Sequence, residues 1–152
     1  MFHKLMATAA LFLLAIPAAF AGVDTATDRN GVILAGYDAV AYFTEGKAVR
    51  GSEEFTASHG GANYQFASAE HRDLFAADPE RYAPAYGGYC ALGASFGKKF
   101  LVDGKAFEIV DGQLYVNKNL KVYATWKKDI PGNIEKADAK WPAIADVPAK
   151  KL

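Results

Sequence analysis

The chain of 152 residues carries 17 basic and 17 acidic side chains and is 51% hydrophobic, with 10 Phe, 8 Tyr and 2 Trp. That balance excludes recruitment of nucleic acid or an anionic membrane by net charge, and the length suits one domain around one core. A single cysteine excludes an internal disulfide.

The chain opens with Met1-Phe2-His3-Lys4, runs apolar over 5–20 and closes that run with the small-x-small triplet Ala19-Phe20-Ala21. A basic start, a short apolar middle and this exit describe a secretory signal peptide (1–21), too short and wrongly flanked for a stable membrane span. Cleavage is expected after Ala21. Residue 22 is glycine and not the cysteine of a lipid-modified leader, so the expected product is a periplasmic protein. Losing Lys4 with the leader leaves it one formal negative charge.

Residues 22–35 read as a lead-in, polar over 25–30 and ending in the β candidate Val32-Ile33-Leu34. The domain proper is expected over 36–142. Its first stretch, Gly36-Tyr37-Asp38-Ala39-Val40-Ala41-Tyr42-Phe43, places Asp38 to cap a helical turn; a ligand-binding acceptor is the alternative role for the same carboxylate. Phe55 and Ala57, then Tyr64 and Phe66, alternate apolar with polar on either side of Ser58-His59-Gly60-Gly61 and predict a β-hairpin. His59 falls at its tip, as a solvated loop residue or a metal ligand.

Ser68 is an N-cap for a helix over 69–77, with Glu70 in the acid-favouring first turn and His71 on its surface or in a site. Asp78-Pro79 ends that helix and starts another turn. Then comes Pro84-Ala85-Tyr86-Gly87-Gly88-Tyr89-Cys90-Ala91, where a helix is expected over 88–95. Asp111-Gly112 between Phe107-Glu108-Ile109-Val110 and Gln113-Leu114-Tyr115-Val116 predicts a second hairpin. Asn117 is placed to cap a helix over 118–128, a further helix is expected to about residue 140, and 143–152 read as a loosely held tail. Strand pairs with helices between and after them argue for α+β.

Cys90 is open to four readings: buried, paired with another molecule, bound to a ligand, or free and reactive. As a nucleophile it would need a base, and His59 and His71 are the imidazoles of the mature chain. As a ligand it would combine with His71, His59 and Asp38, a donor set that favours zinc or copper over magnesium or calcium. Tyr37, Tyr86 and Tyr89, with Tyr82 nearby, are candidates to line a pocket for a small flat or apolar ligand.

The segments Gly36-Tyr37-Asp38-Ala39-Val40-Ala41-Tyr42-Phe43, Tyr64-Gln65-Phe66-Ala67-Ser68, Asp78-Pro79, Tyr86-Gly87-Gly88-Tyr89-Cys90-Ala91 and Asp111-Gly112-Gln113-Leu114-Tyr115 together resemble the YHS domain family, in its exported bacterial branch. The resemblance covers about 36–142. It implies a small α+β domain and non-catalytic binding of a soft transition metal, copper or zinc. In metal-associated members the ligands are three cysteines, and their positions fall here on Ala41, Ala67 and His71; Ala39 stands in place of the usual proline. Two of the three positions therefore have no donor side chain, which leaves three expectations: a rebuilt metal site using Cys90, a partner-binding or scaffold module whose metal site has decayed, or a thiol-based redox or transfer enzyme.

Overall fold

The computed structural model describes residues 22–152, so the expected leader lies outside the described residues. In chain order the elements are α1 (Ala41–Thr44), β1 (Ser52–His59), β2 (Ala62–Phe66), α2 (Ala69–Ala77), α3 (Pro79–Tyr82), α4 (Ala91–Ser95), β3 (Phe107–Val110), β4 (Gln113–Val116), α5 (Leu120–Trp126) and α6 (Ile130–Ile144). The architecture is α+β, with each hairpin forming its own two-stranded antiparallel sheet.

Both hairpins turn where the glycines predict. Gly60 and Gly61 take φ of 59° and 81°, and Asp111 and Gly112 take 51° and 76°, the paired left-handed conformation that matches a tight turn to the twist of its strands. His59 pairs with Ala62 at the closing position, while β1 slips register between Ser52 and Thr56, a bulge that bends the strand. Helix α2 also starts as expected, its first turn closed by Ser68 Oγ accepting from His71 N at 3.1 Å.

Three local expectations are corrected. Val32-Ile33-Leu34 makes only isolated bridges, Thr27 with Ile33 and Val32 with Asn63, before a 3-10 turn over Leu34–Gly36. Leu34 and Ala35 take φ of 58° and 52° there, a left-handed conformation costing roughly 1 kcal/mol per residue that complete burial of Leu34 offsets. The cysteine helix begins late, because Tyr86, Gly87 and Gly88 turn left-handed first, at φ of 56°, 60° and 82°. A Cβ at Gly87 would also stand 2.7 Å from the Asp24 carbonyl oxygen. Cys90 is thus the N-cap of α4. Finally Asn119, not Asn117, caps α5, accepting from Val122 N at 2.8 Å. Asn117 instead extends the second hairpin, its N–H donating to Ala106 O at 2.8 Å, and turns its side chain inward.

The apolar interior divides in two along β4. Successive strand residues face opposite sides: Leu114 and Val116 join Tyr42, Phe66 and Phe75 in the larger cluster, while Tyr115 joins Tyr86, Trp126 and Ala137 in the smaller. One core was expected from chain length, and a hairpin buried on both faces makes two. The larger is built from the first hairpin, α1 and α2; the smaller from α4, α5 and α6.

Lys99 ties the ends of the chain to the smaller cluster. Its fully buried ammonium donates to Val147 O at 2.6 Å, Ala145 O at 3.2 Å and Asp24 Oδ2 at 3.3 Å. The rings of Tyr89 and Trp141 lie 5.1 and 5.0 Å away. A buried cation needs this many acceptors to offset its lost hydration. Residues expected as a loose tail therefore supply two carbonyls to a buried site, and Asp24 N closes the junction on Ala145 O at 2.8 Å. Lys99→Met keeps the length of the side chain and removes the charge; it should lower unfolding free energy by about 2 kcal/mol and abolish amide-exchange protection at Asp24, read by denaturant titration and hydrogen exchange.

Candidate functional site

Asp38 is the most highly connected side chain in the larger cluster. It follows the left-handed turn at Leu34–Gly36, its own N–H donates to Val49 O at 2.8 Å, and it is completely buried. Oδ1 accepts from Val40 N at 2.9 Å and Ala41 N at 3.0 Å, which is the capping role read from the sequence. Oδ2 accepts from Ala67 N at 2.9 Å and from His71 Nδ1 at 2.7 Å. An ionised carboxylate only accepts, so Nδ1–H donates to it, and Nε2 is the ring nitrogen turned away from that contact. The His71 side chain is 17% exposed, giving that nitrogen some access to water.

Cys90 belongs to a different network. Its sulfur accepts from Gly93 N at 3.4 Å and Lys118 N at 3.3 Å, and its S–H faces Asn117 Oδ1 at 3.6 Å. Leu92 N donates to the same Asn117 oxygen at 3.1 Å, and Cys90 N donates to Phe100 O at 3.0 Å. With 1% of its surface exposed, the thiol joins α4, the Phe100 segment and the end of the second hairpin. His59 is elsewhere again, its Nε2 3.1 Å from Glu80 Oε1 and its ring edge-on to Phe75.

Of the four candidate ligands the fold therefore brings Asp38 and His71 together, while Cys90 and His59 have other partners. Among the described residues no three His, Cys, Asp or Glu side chains converge. The donor set does not fit a soft metal: both Asp38 oxygens are occupied by N–H donors, the sulfur is enclosed, and His71 Nε2 stands as a lone imidazole donor.

The candidate pocket tyrosines do not share a pocket wall. Tyr37 packs in the larger cluster beneath the Arg50 guanidinium, 4.9 Å from its ring centre. Tyr86 lies in the smaller cluster and donates to Asp138 Oδ1 at 2.9 Å, while Tyr89 donates to Asp24 Oδ2 at 2.8 Å. Burial, then the aspartate bonds, push both phenols well above the ordinary tyrosine value of 10.0, so each is held as a proton donor. The residues that sequence reasoning passed over are Asn117, read as a cap, and Lys99, given no role; neither burial leaves a mark in local composition.

Compared with family models, with curated proteins and with solved structures, the chain has no match. Among the described residues no helix is long and apolar enough to cross a membrane.

Two outcomes follow from this geometry. Asp38→Asn keeps the shape but presents an NH2 group to N–H donors and removes the charge, and should cost about 3 kcal/mol of stability by denaturant titration. Cys90 should stay unlabelled by a thiol reagent at neutral and alkaline pH until the protein unfolds; rapid labelling of the native protein with an apparent pKa well under the free value of about 8.5 would restore a reactive thiol.

Proposed function

We propose that this chain is an exported, non-catalytic partner-binding or scaffold module of the YHS type in which the family's metal site has decayed. One observation carries this reading. The positions on which the family's three cysteine ligands fall all bond to a single group: Ala41 N, Ala67 N and His71 Nδ1 lie 3.0, 2.9 and 2.7 Å from the Asp38 carboxylate. Two of those positions are alanine, which has no donor side chain, and the third holds an imidazole already bonded to Asp38.

The enclosed Cys90 sulfur also favours a packing role over a redox or transfer reaction. A partner-binding role is further supported by large apolar side chains left exposed at the end of α4 and the start of α5, Phe96 at 69% and Leu120 at 56%. These two helices pack against each other.

Calorimetric titration with Cu(I), Cu(II) and Zn(II) tests the reading. Wild type, Cys90→Ser and His71→Ala should show the same absence of stoichiometric binding. One-to-one binding by wild type that His71→Ala removes would instead establish a metal site built on His71 Nε2, with Asp38 holding the opposite side of the ring.

A further inference from the structure

The exposed apolar side chains where α4 meets α5 belong to one surface. Gly93, within α4, is its hub: a Cβ there would stand 2.7 Å from the Phe100 ring, so only glycine lets that ring lie against the helix. Gly93 O accepts from Phe96 N at 3.0 Å and from Lys98 N at 2.9 Å, which brings the chain back past the same point. The Lys118 ammonium lies 4.9 Å from the Phe100 ring centre and joins this side to the start of α5. Phe96, Phe100 and Leu120 remain 69%, 42% and 56% exposed.

Cys90 holds the two sides together from beneath. Its sulfur accepts from Gly93 N and Lys118 N, and its own N–H donates to Phe100 O. A surface ordered before contact gives up little freedom on binding.

The charge on this surface is one-sided. The whole chain is balanced, 17 basic against 17 acidic residues, yet 89–102 and 117–128 contain no Asp or Glu, while Lys98, Lys118 and Lys121 are exposed. Among the described residues neither Lys118 nor Lys121 is paired with a carboxylate. Asp103 approaches only by its backbone, its N–H on Asn117 O, and its carboxylate accepts from Lys105 N instead.

Unpaired ammonium groups beside an apolar wall select the occupant. A second copy seated across a two-fold axis would set lysines against lysines. A bilayer engages an amphipathic helix along its apolar face, whereas here a helix end, a loop and a helix start supply one large side chain each. An extended acidic segment meets both requirements, with carboxylates at Lys118 and Lys121 and apolar side chains against Phe96, Phe100 and Leu120.

We propose that this surface docks an acidic peptide segment of a partner protein, one that interleaves carboxylates with large apolar side chains. The inference rests on the partner-binding reading above. A metal site at His71 would overturn that reading, whereas failure of the peptide titration overturns only the chemistry of the partner.

Three short peptides test it: glutamate alternating with leucine and phenylalanine, and the same sequence with glutamine or with lysine in place of glutamate, each titrated into the isotope-labelled protein and followed by NMR at the backbone amides. The glutamate peptide should shift Phe96, Phe100, Lys118 and Leu120 and leave His59 in place, with a dissociation constant near or below about 1 mM. The glutamine peptide should bind about tenfold more weakly, and the lysine peptide should not bind. Joint Lys118→Gln and Lys121→Gln, changes at exposed side chains, should weaken the glutamate peptide about tenfold, and Phe96→Ser about fivefold. Equal binding of all three peptides, insensitivity to the double lysine variant, shifts confined to other surfaces, or no shift up to about 10 mM would each overturn the proposal. Self-association or uptake by anionic phospholipid vesicles that Phe96→Ser abolishes would seat a second copy or a bilayer on this surface and overturn it as well.

Discussion

A buried carboxylate with four N–H partners organises the N-terminal half of this fold. Asp38 receives bonds from α1, from the residue after β2 and from the first turn of α2, and so ties α1 to the β2–α2 junction by polar contacts. Hydrophobic burial is non-directional and tolerates sliding, whereas a charge in a dry interior tolerates only the geometry that keeps its donors in place. Phe66, Phe75 and Tyr64 then pack with ring centres 4.3–5.2 Å apart beside that junction. The carboxylate sets the register and the aromatic rings fill the space around it.

The C-terminal half uses the opposite charge for the same purpose. Where Asp38 gathers N–H groups, Lys99 gathers carbonyls, from Ala145 and Val147, with Asp24 and two aromatic faces completing its shell. Between them stands β4, whose alternating residues belong to both clusters, and Cys90 sits beside the end of that strand, receiving Lys118 N. A thiol is well suited to this place: it is small, apolar enough for burial, and able to accept two weak N–H bonds at the start of a helix.

Features set by neighbours in sequence were legible from it. Both glycine-containing turns, the Ser68 cap and the Asp38 cap depend on residues at most a few positions apart, and all four stand where local rules put them. Features set by distant partners were not. Nothing around Lys99 distinguishes it from Lys98, whose ammonium reaches the Leu152 carbonyl in an exposed contact; only the arrival of residues 24, 145 and 147 makes one of them a core residue. Asn117 looked like a helix cap because a polar residue before a helical run usually is one, and Asn119, two positions on, took that role once Ala106 had engaged the Asn117 backbone. The candidate site was half legible for the same reason. Asp38 and His71 were each identifiable as chemistry-bearing residues, but their contact spans 33 positions, and the thiol, the most conspicuous side chain in the sequence, is committed to packing.

The Lys99 shell also makes two distant stretches of the chain depend on each other. Asp24 donates its backbone N–H to Ala145 O, and its carboxylate accepts from Tyr89 Oη and Lys99 Nζ, so residues 24 and 145–147 meet at one buried charge. A change that frees either stretch strips acceptors from the ammonium, and the other stretch loses its anchor with it.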